Sequence, residues 1–175
     1  MNVLRFCKEN QIVKLKLPHG KSIDVFSNVI YKMSKYIQSI SDIPESGGFI
    51  VGYEHAKTGN ITLEDISVPH YFDKKNRIRF EIKDIRHKIF LRRKMKKKSY
   101  YMGVWHTHPQ KNPVPSIIDW EDWKESLKID KTGSKYMFFI IAGIDEWKLW
   151  IGDCNTKQIW EAEEYRKNAL GIYEK

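Results

Sequence analysis

Residues 100–123, YYMGVWHTHPQKNPVPSIIDWEDW, leave the chain little choice of path. An aromatic and apolar run reads as a β-strand that carries His106, Thr107 and His108 at its end. Pro109, Pro113 and Pro115 then exclude both helix interior and central strand for the next few residues. Ser116 opens a helix, because a serine oxygen caps the first turn and Asp119, three residues on, can reach back in a capping box. A strand end, a short stiff loop and a helix start must therefore lie side by side. Side chains two apart on an extended chain project to one side, so His106 and His108 present their imidazoles together. Asp119, in the first turn of the neighbouring helix, can be aimed back at them.

On spacing alone, two readings of this constellation stand. Two neutral imidazoles and a carboxylate are the three protein ligands of a catalytic zinc site, which keeps a fourth position for water. Alternatively, the histidines are solvated loop residues and Asp119 serves only the helix cap.

The rest of the chain supplies layers around this turn. Residues 11–17 alternate apolar and polar, and PHGK leads into SIDVF, which predicts a β-hairpin over 11–26. Val29, Ile30, Met33, Tyr36, Ile37 and Ile40 recur at helical spacing, with Ser27 or Asn28 as cap, so a helix is expected over 28–40, stopped by Pro44. GGFIVGY and ITLEDISV flank a TGN turn as paired strands. Residues 82–98 read as a second helix with Ile82, Ile85 and Ile89 inward, and a third starts at Ser116. Strands follow at 136–143, 147–152 and 157–162. Strands interspersed with helices predict an α/β (α+β) fold, a mixed sheet with flanking helices forming one domain over 1–175.

Composition narrows the function classes. The net charge of +9 is local: residues 74–98 carry 13 Lys or Arg against Glu81 and Asp84, a net of +11, so the remainder sums to −2. That segment reads either as a solvated helix face or as a docking surface, through Lys94, Lys96, Lys97 and Lys98, for an acidic partner. A nucleic-acid-binding module is the alternative of a different class, but the charge is confined and no nucleic-acid motif accompanies it. No run approaches the roughly 20 apolar residues of a membrane helix. The N-terminus lacks a signal-type apolar core, so a cytoplasmic location is expected. Cys7 and Cys154 lack CxxC spacing, which argues against a disulfide framework or thiolate zinc site. His19, His55, His70 and His87 lack ligand spacing among themselves and are read as surface or structural.

His106-Thr107-His108-Pro109, with Ser116 and Asp119 following at this spacing, resembles the signature of the JAB/JAMM zinc metallopeptidases of the MPN-domain family. Upstream, Glu45-Ser46-Gly47-Gly48 before an apolar strand matches the family's glutamate, and the likeness extends over about residues 28–155. It implies an MPN/JAB domain with cytidine-deaminase-like layers and one catalytic Zn²⁺ per chain, held by His106, His108 and Asp119. Glu45 would be the general acid/base and Ser116 the hydroxyl that stabilises the oxyanion. Trp120, beside Asp119, is a candidate for the substrate channel, while Trp105 and Trp123 read as core. Only KTGSK separates the third helix from the next strand, which is similar to the prokaryotic branch, and most similar within it to the deconjugating peptidases of CBASS anti-phage operons. Such an enzyme would cut after the extended C-terminal tail of a ubiquitin-like or cGAS-like nucleotidyltransferase protein. A general desampylase-like peptidase is the nearer alternative.

Overall fold

The computed structural model describes residues 12–39, 42–129, 132 and 134–165. The sequence's alternation of strand and helix resolves into one eight-stranded mixed sheet with three helices and a separate two-stranded ribbon. The predicted hairpin forms from β1 (Val13–Leu17) and β2 (Lys21–Val25), with His19 and Gly20 at positive φ in its turn. Its first residue, Gln11, lies outside the described residues, as do Cys7 and Ile40.

Helix α1 spans Ser27–Ser34, shorter than the expected 28–40. Val29, Ile30 and Met33 complete its buried face, and Tyr36 N donates to Met33 O at 3.0 Å in a tightened last turn. Neither Ser27 nor Asn28 caps it: the N-cap is Phe26, without a side-chain hydrogen bond, and Asn28 Nδ2 donates instead to Asp65 Oδ1 at 2.7 Å.

Strands β3 (Gly47–Glu54) and β4 (Ile61–Ile66) pair antiparallel around Gly59, whose φ of 67° makes the turn. The ribbon of β5 (Lys74–Lys75) and β6 (Phe80–Glu81) follows, a feature the sequence reading did not contain. Helix α2 (Ile85–Met95) starts at Asp84, whose carboxylate accepts from Arg86 N. Its inward residue is His87, whereas Ile85 and Ile89 are 57% and 37% exposed and Ile82 precedes the helix. The expected inward isoleucines are therefore corrected: polar bonds to His87, not apolar burial, dock this helix.

Strand β7 (Tyr100–Thr107) lies antiparallel to β3 and parallel to β8 (Tyr136–Ala142), with α3 (Ile117–Lys128) crossing between them. All seven residues of β8 are buried, because both faces of this central strand are covered. Phe138 and Ile140 enter the core shared with α1 and the hairpin; Met137, Phe139 and Ile141 enter a second core under α3. There Trp123 stacks on Phe139 with ring centroids 4.7 Å apart, so α3 is pinned through Trp123 and Leu127. Strands β9 (Trp147–Asp153) and β10 (Ile159–Glu161) complete the order β1-β2-β4-β3-β7-β8-β9-β10.

The sheet curls until its ends meet. Lys16 N donates to Glu163 O at 2.7 Å and Tyr165 N to Lys14 O at 3.0 Å, so the segment after β10 satisfies the outer edge of β1. No helix among the described residues is long and apolar enough to cross a membrane.

Candidate metal centre and active site

Strand β7 delivers His106 and His108 to one edge of the sheet, and the predicted cap at Ser116 forms as a complete capping box. Ser116 Oγ accepts from Asp119 N at 3.1 Å, while Ser116 N and Oγ donate to Asp119 Oδ2 at 2.6 and 2.7 Å. The cap thereby holds the carboxylate facing the histidines. His106 Nε2 lies 3.0 Å from Asp119 Oδ1, His108 Nε2 lies 3.3 Å from Asp119 Oδ2, and the two Nε2 atoms are 3.0 Å apart. A tetrahedral zinc ion with bonds of about 2.0–2.1 Å sets its donors roughly 3.3 Å apart. The donor set and its spacing fit such an ion, and these three residues are the group among the described residues able to hold one.

Glu45 comes from the far side. Its neighbours Gly47 and Gly48 lie opposite His106 and Trp105 in the β3–β7 register. A Cβ on Gly47 would sit 2.5 Å from Trp105 O, and one on Gly48 would sit 2.3 Å from Ser67 O. Only glycine lets the strands approach this closely, and the approach brings Glu45 Oε1 to 3.9 Å from His108 Nε2. Burial pushes the Glu45 carboxyl up to about 7; His108 pulls against this and Asp119 adds to it. Burial would raise Asp119 too, but hydrogen bonds from His106, His108 and Ser116 hold it far below the usual carboxylate range. Burial works to lower His108, yet Asp119, Glu45 and a hydrogen bond to Gln110 leave it raised.

The sequence reading missed the residues that fix these positions. Ser46 N donates to Thr107 Oγ1, and Thr107 Oγ1 donates to Gln38 Oε1, both at 3.0 Å. Gln38 Nε2 donates to Ile43 O at 2.7 Å, closing a brace between the Glu45 segment and the histidine strand. Gln110 is anchored in turn, its carbonyl accepting from Ile144 N at 2.7 Å. Thr107 inside HxH was visible in the sequence; Gln38, 69 residues away, gave no signal.

A groove of about 380 Å³ opens onto the centre, and Glu45, His106 and Asp119 line it. One wall is residues 78–83 with β6, the other is α3, and Val104, Trp105 and Trp123 line it as well. Trp120 does not line it: its ring packs edge-on against Trp123, centroids 5.4 Å apart, within the core under α3. Trp105 and Trp123, read as core, are 1% and 2% exposed.

A family model for prokaryotic homologues of the JAB domain matches residues 37–152. The chain belongs to this family. The JAB domain is 29% identical over 131 residues to a protein of Escherichia coli (strain TW11681) named CD-NTase/cGAS isopeptidase, covering 73% of this chain and 79% of that one. Proteins of the same name from Vibrio cholerae and Pseudomonas aeruginosa are 26% and 33% identical, over 73% and 62% of this chain and 79% and 69% of theirs. The solution structure of a Desulfitobacterium hafniense protein shares the fold, with a TM-score of 0.57 at 14% identity over 81% of this chain and 90% of that one.

The basic segment of the JAB domain is divided by the fold. Lys94 turns inward, its Nζ 2.8 Å from Asp65 and 3.4 Å from Glu64, and so braces α2 against β4. It is withdrawn from the expected docking set; Lys96, Lys97 and Lys98 are exposed.

Proposed function

We propose that this protein is a zinc-dependent isopeptidase that releases a cGAS-like nucleotidyltransferase from the targets to which its C-terminal tail has been joined. The reading rests on the convergence of His106, His108 and Asp119 on one point, with buried Glu45 beside it. The relatives' shared name supports the substrate class, and an anti-phage CBASS operon is the setting it implies.

His106, His108 and Asp119 would hold the ion. Bound there, zinc supplies a Lewis acid and lowers the pKa of a coordinated water to about 7. Glu45 takes a proton from the attacking water at its carboxylate and returns it to the departing lysine amine. A group raised to about 7 is suited to both transfers near neutral pH. The Ser116 hydroxyl, at the rim of the site, donates to the developing oxyanion once it leaves Asp119. The tail lies extended in the groove. Among the described residues β6 pairs with β5 on one side alone, so its other edge can take a substrate strand.

The test is metal analysis of the purified protein joined to a cleavage assay on a tail-linked conjugate. About one zinc per chain is expected, with a cut directly after the tail's last residue, leaving a free carboxylate on one product and an intact lysine amine on the other. Cuts scattered through unfolded protein would refute the deconjugase reading; a metal-free active protein would refute the zinc reading.

A further inference from the structure

The basic segment ends in a second cavity, away from the groove. It holds about 510 Å³ and is lined by Tyr53, Glu54, Lys97, Lys98, Tyr100, Met102, Thr132 and Ser134. Tyr100 begins the strand that ends near His106, so six residues, roughly 20 Å, separate this cavity from the metal centre. Nothing in the proposed peptidase chemistry uses it.

Lys98 is the informative residue. Ser99 N donates to Lys94 O at 3.1 Å, the bond that closes a Schellman turn, and Lys98 takes the left-handed position with φ of 60°. Glycine is favoured there, and a lysine is held at a cost. Helix polarity does not require it, because the last turn of α2 already carries Arg92 and Arg93. Among the described residues no ion pair holds Lys97 or Lys98. Two cations are thus kept beside two tyrosine rings, one of them strained. Glu54 in the same cavity is poorly placed for a polyanion and well placed for a ligand whose hydroxyl or amino donors lie near its anionic end.

We infer that this cavity binds a mononucleotide-like ligand, with its phosphate on Lys97 and Lys98, its ring against the exposed Tyr100, and a sugar hydroxyl or base amine on Glu54. A cavity of this size accommodates such a ligand.

Calorimetric titration of the full chain with AMP, GMP, adenosine and inorganic phosphate tests this. At least one of the two nucleotides should bind at least 10-fold more tightly than adenosine or phosphate. Lys98→Gly should weaken that binding at least 10-fold while leaving Tm unchanged or raised, since glycine relieves the backbone strain. Tyr100→Leu should weaken the nucleotide while leaving phosphate as it was. Phosphate binding as well as AMP would overturn the proposal, as would undiminished binding by Lys98→Gly. Tighter, steeply salt-dependent binding of an RNA oligomer through the same lysines would overturn it in favour of a nucleic-acid surface.

Discussion

The molecule contains two clusters made of the same residue types. In one, Ser116, Asp119, His106 and His108 meet at the groove. In the other, Ser67 Oγ lies 2.6 Å from His87 Nδ1, and His87 Nε2 lies 2.8 Å from Asp73 Oδ2. The second has the composition of a hydrolase triad, yet His87 is 0% exposed and no substrate can reach it. Ser67 Oγ also accepts from Phe49 N, and Asp73 accepts from the backbone N–H of His70, Lys83 and Asp84. Every polar atom of the sealed cluster is matched to a partner on a different element, so it functions as a brace. At the groove the two Nε2 atoms face each other and a carboxylate, an arrangement that a cation completes. Residue type does not separate the two clusters; the partners that the imidazole nitrogens face do.

The carboxylates diverge as well. Glu45 is raised to about 7 because burial goes unanswered by donors. Burial acts on Asp73 in the same sense, but hydrogen bonds from Asp84 N, His87, His70 N and Lys83 N outweigh it and lower its pKa. One acid can exchange a proton near neutral pH, whereas the other holds its charge into the acid range.

The sharpest break of this comparison is His108→Ala, which should lose zinc and reduce cleavage to background, at least about 10³-fold, while the sealed cluster still folds the chain. Stoichiometric zinc in that variant would refute the ligand set. Glu45→Gln should keep zinc by metal analysis and lose roughly 10²–10⁴ in kcat, since an amide cannot accept the proton.

His87→Ala should do the reverse of His108→Ala. It leaves Asp73 and Ser67 without their shared partner and should cost about 3 kcal/mol in denaturant unfolding, with zinc content unchanged. Loss of zinc at unchanged stability would erase the distinction drawn here. Ser116→Ala should lower kcat roughly 10²-fold if the hydroxyl meets the oxyanion, and cost about 1 kcal/mol as a lost cap. A change in stability alone would leave Ser116 as a cap.

The smallest effect is a pair of opposite pH slopes, read from chemical denaturation of metal-free protein. A raised acid such as Glu45 contributes stability that is fully present below its unfolded value near 4.3 and lost as pH rises through about 7. Glu45→Gln should therefore stabilise the apoprotein at pH 8 and not at pH 4. The lowered Asp73 contributes stability present above about 3.9 and lost as pH falls through its folded value, so Asp73→Asn should flatten the acid limb alone. Parallel slopes in the two variants would contradict the opposed environments.

What could be read in advance was local. The strand into His106 and the cap at Ser116 follow from spacing, the place of Glu45 before its glycines from the family resemblance, and the structure has the strand, the cap and the close glycine approach. What escaped was bonded at long range. The inward face of α2 depends on Asp73 and Ser67, outside the helix, so its isoleucine periodicity pointed the wrong way. The β5–β6 wall of the groove is two short strands in a run of charges, tied to the site by Glu45 N donating to Asn76 O at 2.8 Å. Trp123 reads as core and is core, at 2% exposed, whereas only the packing of α3 shows that Trp120 lies against it and not along the groove.

The seam between β1 and residues 163–165 constrains how the protein can be made. It joins Lys16 to Glu163, 147 positions apart. Until that late segment leaves the ribosome, β1 has one unsatisfied edge, and the closing contact carries a large loop-entropy cost. The hairpin and α1 can form early, but the barrel-like closure waits for residues 163–165. A nascent chain stalled before residue 163 would expose a β1 edge able to pair with another copy.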